Sequence, residues 1–210
     1  MHPRELFPLL LISGLFCACL VTAAVLAVKI VTVADYYVPA GVVAYCITFV
    51  CADVISEIWG RRHANMVVLA GFIGLACTFL LVWLALWWPA APFWQQEEAF
   101  RGVLGMTPRI IAGSLAAYVL SQFHDVWLYN LLKDRMRGRH LWLRNIFATI
   151  LSQLIDSVVF ITIAFAGAMP LLPLISGQWT VKVVLALCDT PLVYAVVWCI
   201  RRYMAVKETH

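Results

Sequence analysis

The 210-residue chain is 64% hydrophobic and only 12% charged, with a formal net charge of +4 and a mean hydropathy of +0.91. A soluble domain is nearer half apolar and a quarter charged, so the composition excludes one and specifies an integral membrane protein. The positive excess lies between apolar runs, where it reports topology rather than nucleic-acid binding.

Six apolar stretches are long enough to span, at roughly 7–30, 38–58, 64–88, 109–132, 145–168 and 180–200. They use most of the chain. The expected fold is an all-α integral membrane protein, a single six-helix transmembrane domain over residues 1–210. The first run follows Arg4 and extends from Phe7 to Ile30. A cleavable signal peptide is the rival reading there, but its apolar core would be shorter. The second run starts after Pro39 and ends with Asp53, Glu57, Arg61 and Arg62. Asp53 and Glu57 are one turn apart and share a face. Glu57 is either a helix-end carboxylate pairing with Arg61 or Arg62, or part of a site. Asp53 lies a turn deeper, where a carboxylate costs ~2.5–3.5 kcal/mol, so it should face the bundle and have a partner, in the site or its gate.

The third run closes on Trp83, Trp87 and Trp88, with Trp94 in the following loop, an interfacial aromatic belt. That loop, 89–107, carries Glu97 and Glu98. Thr107-Pro108 predicts a capped start for the fourth helix. Arg109, just inside it, is either a snorkelling arginine or a group at the outer mouth. The fourth and fifth helices are joined by the basic stretch from Lys133 to His140, and the sixth carries Asp189, Thr190 and Pro191. Pro191 should kink its span, and Asp189 beside it serves either a site or the structure. The seven cysteines lie in or beside apolar runs with no C-x-x-C spacing. They read as packing residues, and neither a metal nor a cofactor is expected.

Placing both termini in the cytoplasm puts eleven Lys and Arg residues inside and leaves only Lys29, Arg101, Arg109 and Lys182 outside. That asymmetry predicts cytoplasmic termini, with 31–38, 89–107 and 169–179 outside.

The fourth and fifth runs also share a motif. Ser121-Gln122-Phe123-His124-Asp125 recurs 31 residues later as Ser152-Gln153-Leu154-Ile155-Asp156. On a helix, residues three and four apart share a face, so each copy presents Ser, Gln and Asp together. Gln122 lies about ten residues before the basic loop and Gln153 about nine after Arg144, so both are ~15 Å from that boundary, near the midplane. Asp125 and Asp156 are taken to share this depth. The two helices run in opposite directions, which makes an inverted local repeat, the arrangement around which transporters build their substrate sites. His124 has Ile155 as its counterpart and reads as a packing or interhelical hydrogen-bonding residue.

Five blocks now stand in order: residues 52–60, Pro108-Arg109-Ile110 leading to Ser114, 121–125, Leu141-Trp142-Leu143-Arg144-Asn145, and 152–157. On these the chain resembles the queuosine precursor transporter family, inner-membrane proteins also grouped as vitamin uptake transporters. The resemblance covers most of the chain. It implies a multi-pass protein of the bacterial inner membrane that takes up 7-cyano-7-deazaguanine and related 7-deazapurine bases for tRNA modification. The implied partners are the small-molecule base and the lipid bilayer, without nucleic acid. Proton coupling and a homo-oligomer are both compatible with it.

Residue chemistry fits such a base. A carboxylate accepts its ring N–H and exocyclic amine, a Gln amide donates to its carbonyl, and an aromatic such as Phe123, Trp127, Tyr129 or Phe160 stacks on its ring. The candidate substrate-binding residues are Gln122, Asp125, Gln153 and Asp156, with Asp53, Glu57, Asp189, Arg109 and Asn145 around them. Two other classes compete. A substrate-binding membrane subunit would need a separate energising complex, since no G-x-x-x-x-G-K-[ST] motif is present. An intramembrane enzyme has only the paired aspartates as candidates, because H-E-x-x-H and G-x-S-x-G are both missing. A purely structural subunit is disfavoured by the cost of its buried acids.

Overall fold

The computed structural model describes residues 3–135 and 141–206, with all side chains in those segments except 3–4, 122–123, 125–127, 129–130, 132–135, 141–149, 186–187, 189–190 and 205–206. The elements are α1 (Pro3–Leu26), β1 (Ile30–Val33), β2 (Tyr36–Pro39), α2 (Val42–Trp59), α3 (Arg61–Trp87), α4 (Glu97–Leu104), α5 (Thr107–Arg135), α6 (Leu141–Phe165) and α7 (Leu171–Val206). The protein is predominantly helical, and most of each apolar stretch of the sequence lies in one long helix. Among the described residues, four segments are long and apolar enough to cross a membrane: Glu5–Leu26, Val42–Trp59, Arg61–Trp87 and Glu97–Ser121. Shorter apolar stretches, Ile150–Phe165 and Leu171–Leu185, lie in α6 and α7.

Apolar residues cover the outside as well as the inside. On α3 the side chains of Met66, Leu69, Ile73, Leu80 and Leu81 are all exposed. A soluble surface rarely carries so continuous an apolar band, whereas lipid solvates it at no cost. Inside, Phe16, Leu20, Val54, Ile55, Leu75, Ile110, Ile111, Ile161, Phe165 and Leu174 belong to one core shared by α1, α2, α3, α5, α6 and α7.

The most extensive helix pair is α5 with α6. Gly113, Ala117 and Ser121 recur every fourth residue on α5, so one face is small and lets the helices approach. A side-chain carbon at Gly113 would stand 3.2 Å from the Phe160 carbonyl oxygen. At the same end, Arg109 Nε donates to the Ile163 carbonyl at 2.9 Å and Nη2 to that of Ala166 at 2.7 Å. The last carbonyls of a helix lack intrahelical donors and carry partial negative charge, so a guanidinium there both caps and complements the dipole. Arg109 therefore staples the start of α5 to the end of α6.

Those contacts also set the register of the antiparallel pair. Gln122 comes level with Gln153, as the sequence suggested. Asp156 comes level with Val119, six residues and ~9 Å before Asp125 along α5. The two aspartates lie on opposite sides of the crossing, which corrects the expectation of a common depth.

Several boundaries differ from the sequence reading. Helix α7 begins at Leu171 rather than near 180, which leaves a turn at 166–169 in place of an eleven-residue outer loop. It continues past Pro191. Thr107 does not cap α5: Gly105 is already helical (φ −61°, ψ −29°), and the Met106 carbonyl accepts the first α5 bond from Ile110 N–H at 3.0 Å. The chain enters α5 almost directly from α4, so Thr107 never adopts the extended conformation that a cap requires. Glu57 pairs with Arg201 at 3.2 Å rather than with Arg61 or Arg62, joining the ends of α2 and α7.

The segment expected as a plain outer loop, 31–38, is an antiparallel hairpin pairing Ile30 with Pro39 and Val33 with Tyr36. Its two-residue turn places Ala34 (φ 45°) and Asp35 (φ 67°) in the left-handed region. A turn with both central residues there follows the twist of the strands. Val38 is fully buried, and Tyr37 lays its backbone against Gly177 of α7, where an added side-chain carbon would collide with the Tyr37 carbonyl oxygen. Gly177→Ala is expected to cost ~1–3 kcal/mol through overpacking. Gly74→Ala, at a helical glycine with no neighbouring atoms within 4 Å, should be neutral or gain up to ~1 kcal/mol from helix propensity. Thermal unfolding of both variants in detergent checks this; equal midpoints would mean that the hairpin does not bear on α7.

Candidate functional site

A cavity of about 60 Å³ lies among α1, α2, α3, α5, α6 and α7, beneath the hairpin. By volume it has room for about four waters. Its apolar wall comes from Leu20, Ala24, Val42, Leu75, Ile110 and Ala117, and its polar groups are Tyr45, Ser114, Asp156, Gln178 and Lys182, with Phe160 beside them.

Its centre is an ion pair. Lys182 Nζ donates to Asp156 Oδ2, with the two side chains only 4% and 11% exposed. The ammonium also stands over the Tyr45 ring, 4.9 Å from the centroid, and the quadrupole of that face adds attraction. Asp156 is nine residues before the end of α6, and Lys182 eleven after the start of α7. At ~1.5 Å per residue both lie ~14–17 Å from the hairpin end, half the thickness of a bilayer core. Taking two charges out of water costs several kcal/mol each, recovered only when they face one another in good geometry. Ionisable groups at such depth are candidates for a substrate or ion pathway.

Neighbouring contacts hold this arrangement in place. Trp179 Nε1 donates to the Ile150 carbonyl at 3.2 Å, tying α7 to α6 one turn before Lys182 and nearly two turns before Asp156. Ser157, fully buried, donates back to the Gln153 carbonyl at 2.8 Å and so needs no partner elsewhere. Tyr45 is braced edge-to-face by Phe49, with centroids 4.8 Å apart.

Of the residues singled out in the sequence, Asp156 lines the cavity. Gln153 lies one turn away, half-buried, with its Oε1 atom unpartnered among the described residues. Asp53 is exposed on α2 and does not line the cavity, Glu57 is at the α2 end with Arg201, and Arg109 is at the α5–α6 staple. The side chains of Gln122, Asp125, Asn145 and Asp189 lie outside the described residues.

Lys182 was missed. A helix start near 180 puts it at the outer boundary, among the loop charges. The signal was present: Lys182 is bounded by Val181, Val183 and Val184, and Gln178 precedes it by one turn on the same face. Tyr45 and Gln178 carried no motif and no charge, and only the packing of α2 and α7 brings them to the cavity.

Residues 39–196 match the protein family described as "Putative vitamin uptake transporter". That region includes every polar group of the cavity. A protein of Bacillus subtilis (strain 168) named "Probable queuosine precursor transporter" is 34% identical over 160 residues, which cover 74% of this chain and 69% of that protein. No solved structure matches.

Proposed function

The chain belongs to the putative vitamin uptake transporter family, a family of transporters and not of enzymes, and on that premise we propose that it imports 7-cyano-7-deazaguanine and related deazaguanine bases. The observation that carries this reading is the buried Asp156–Lys182 pair facing the cavity. One edge of a deazaguanine presents a carbonyl, a ring N–H and an exocyclic amine in a row. A carboxylate accepts from the N–H and the amine together, and an adjacent ammonium donates to the carbonyl. The base thus inserts into an ion pair already made, and neither charge is left bare. Tyr45 and Phe160 supply flat apolar faces for the ring. The cavity must widen to admit a bicyclic base, which separation of the surrounding helices during alternating access would accomplish.

Six spans with both termini in the cytoplasm fit this reading. With Lys182 removed to the membrane interior, the basic residues outside fall from four to three, Lys29, Arg101 and Arg109, against eleven inside.

The test is a bacterial host lacking both its own transporter and synthesis of the base, supplied with low external concentrations. Expression of this protein should restore queuosine in tRNA. Unmodified tRNA despite good membrane expression would refute uptake by this chain acting alone, and would favour a subunit that needs an energising complex.

A further inference from the structure

We infer that Gln178 reads the pyrrole N–H of the transported base, and so restricts transport to free bases and excludes their nucleosides. This rests on the base-transport reading above and goes beyond it by naming what the site rejects.

Gln178 is 94% buried, given its 6% exposure, and lines the cavity. Its Oε1 atom has no hydrogen-bond partner among the described residues. A buried acceptor left unpaired is costly, so its persistence beside a polar cavity points to a donor brought by the ligand. The donors of the carbonyl–N–H–amine edge are already answered by the Asp156 carboxylate. A free deazaguanine has one further ring donor, the pyrrole N–H, on the opposite side of the bicycle. Gln178 precedes Lys182 by one turn on the same face of α7, ~5–6 Å along the axis. Both residues line the same cavity, so the widened site can offer the ion pair to one edge of a planar ligand and the amide oxygen to the other.

In a nucleoside the pyrrole nitrogen carries the sugar and has no hydrogen to donate. Gln178 would then stay unpaired, and the sugar would need space as well. The cavity of about 60 Å³ already has to widen for the base alone, and a ribose beside it would demand a larger opening still. On the hairpin side it is walled by Ala24, Ala27 and Gly41. There α1 and α2 meet backbone to backbone, since a side-chain carbon at Gly41 would collide with the Ala23 carbonyl.

The experiment measures uptake efficiency for two labelled probes, 7-cyano-7-deazaguanine and its derivative methylated on the pyrrole nitrogen. It compares wild type with Gln178→Met and Gln178→Leu, each normalised to protein in the membrane. Wild type should prefer the free base by about 10- to 100-fold, the worth of one buried hydrogen bond. Both variants should transport the free base less efficiently by a similar factor, and bring the two probes within about three-fold of each other. The ratio of the probes does not depend on how much protein folds. A wild-type ratio in either variant overturns the role of Gln178, while failure of wild type to transport the free base overturns the base-transport reading itself.

Discussion

Lys182→Met is expected to deplete the protein from the membrane, and adding Asp156→Leu is expected to restore it without restoring uptake. The lysine and aspartate face each other with almost no exposed surface. Removing one leaves the other charged in an apolar interior. Breaking a buried pair in this way costs ~3–5 kcal/mol, whereas replacing both members by well-packed apolar residues is often neutral or stabilising. Met and Leu roughly fill the space of the residues they replace. The single variant should therefore unfold at a distinctly lower temperature in detergent and accumulate poorly. The double variant should recover wild-type abundance and midpoint, yet bind no base, having lost the donor and both acceptors. Abundance and thermal midpoint measure the first half of this expectation, and uptake per molecule the second. A Lys182→Met protein as stable as wild type would mean that the pair carries no buried charge. A double variant that still transports would remove the pair from the site.

The outcome depends on a residue that the sequence alone misplaced, and the reason is instructive. Asp156 was legible because its motif recurs and stands in an unbroken apolar run. Lys182 stands in an equally apolar run, but Ser176, Gly177 and Gln178 before it imitate a loop. In the structure each of these three has a helical role: Ser176 donates to the Pro173 carbonyl at 3.1 Å, Gly177 admits the hairpin, and Gln178 faces the cavity. Polar residues that serve tertiary contacts within a helix cannot be told from a break by hydropathy. The hairpin escaped notice for a related reason. Ala34-Asp35 lacks the glycine that usually marks a two-residue turn, and its strands are held by Gly177, more than a hundred residues away. The helices themselves, in contrast, followed from apolar length, because lipid enforces that rule on every span.

Asp156→Asn is expected to weaken binding of the base by ~100-fold or more, while Asp125→Asn changes affinity by less than about ten-fold. By sequence the two aspartates are equivalent, since they occupy matching places in the repeat. The α5–α6 register separates them: the cavity is lined on α5 by Ile110, Ser114 and Ala117, and Asp125 lies two turns beyond Ala117, ~12 Å further along the axis. Turning the Asp156 carboxylate into an amide replaces one acceptor by a donor, which then faces a donor of the base. A lost hydrogen bond to a charged group is worth ~1.5–3 kcal/mol, and the unsatisfied group adds a comparable penalty. At ~1.4 kcal/mol per decade the sum exceeds two orders of magnitude. If Asp156 merely locks α6 to α7, Asn should keep much of that function, since amides hydrogen-bond well between helices. Gln122→Ala and Gln153→Ala, at the level of the crossing, measure how far the polar site extends toward the basic end. Equilibrium binding of labelled base to purified variants, each scored against its own folded fraction, separates the cases. Near-normal affinity in Asp156→Asn would refute the site, and a loss confined to Asp125→Asn would move it ~9 Å toward the basic end of the bundle.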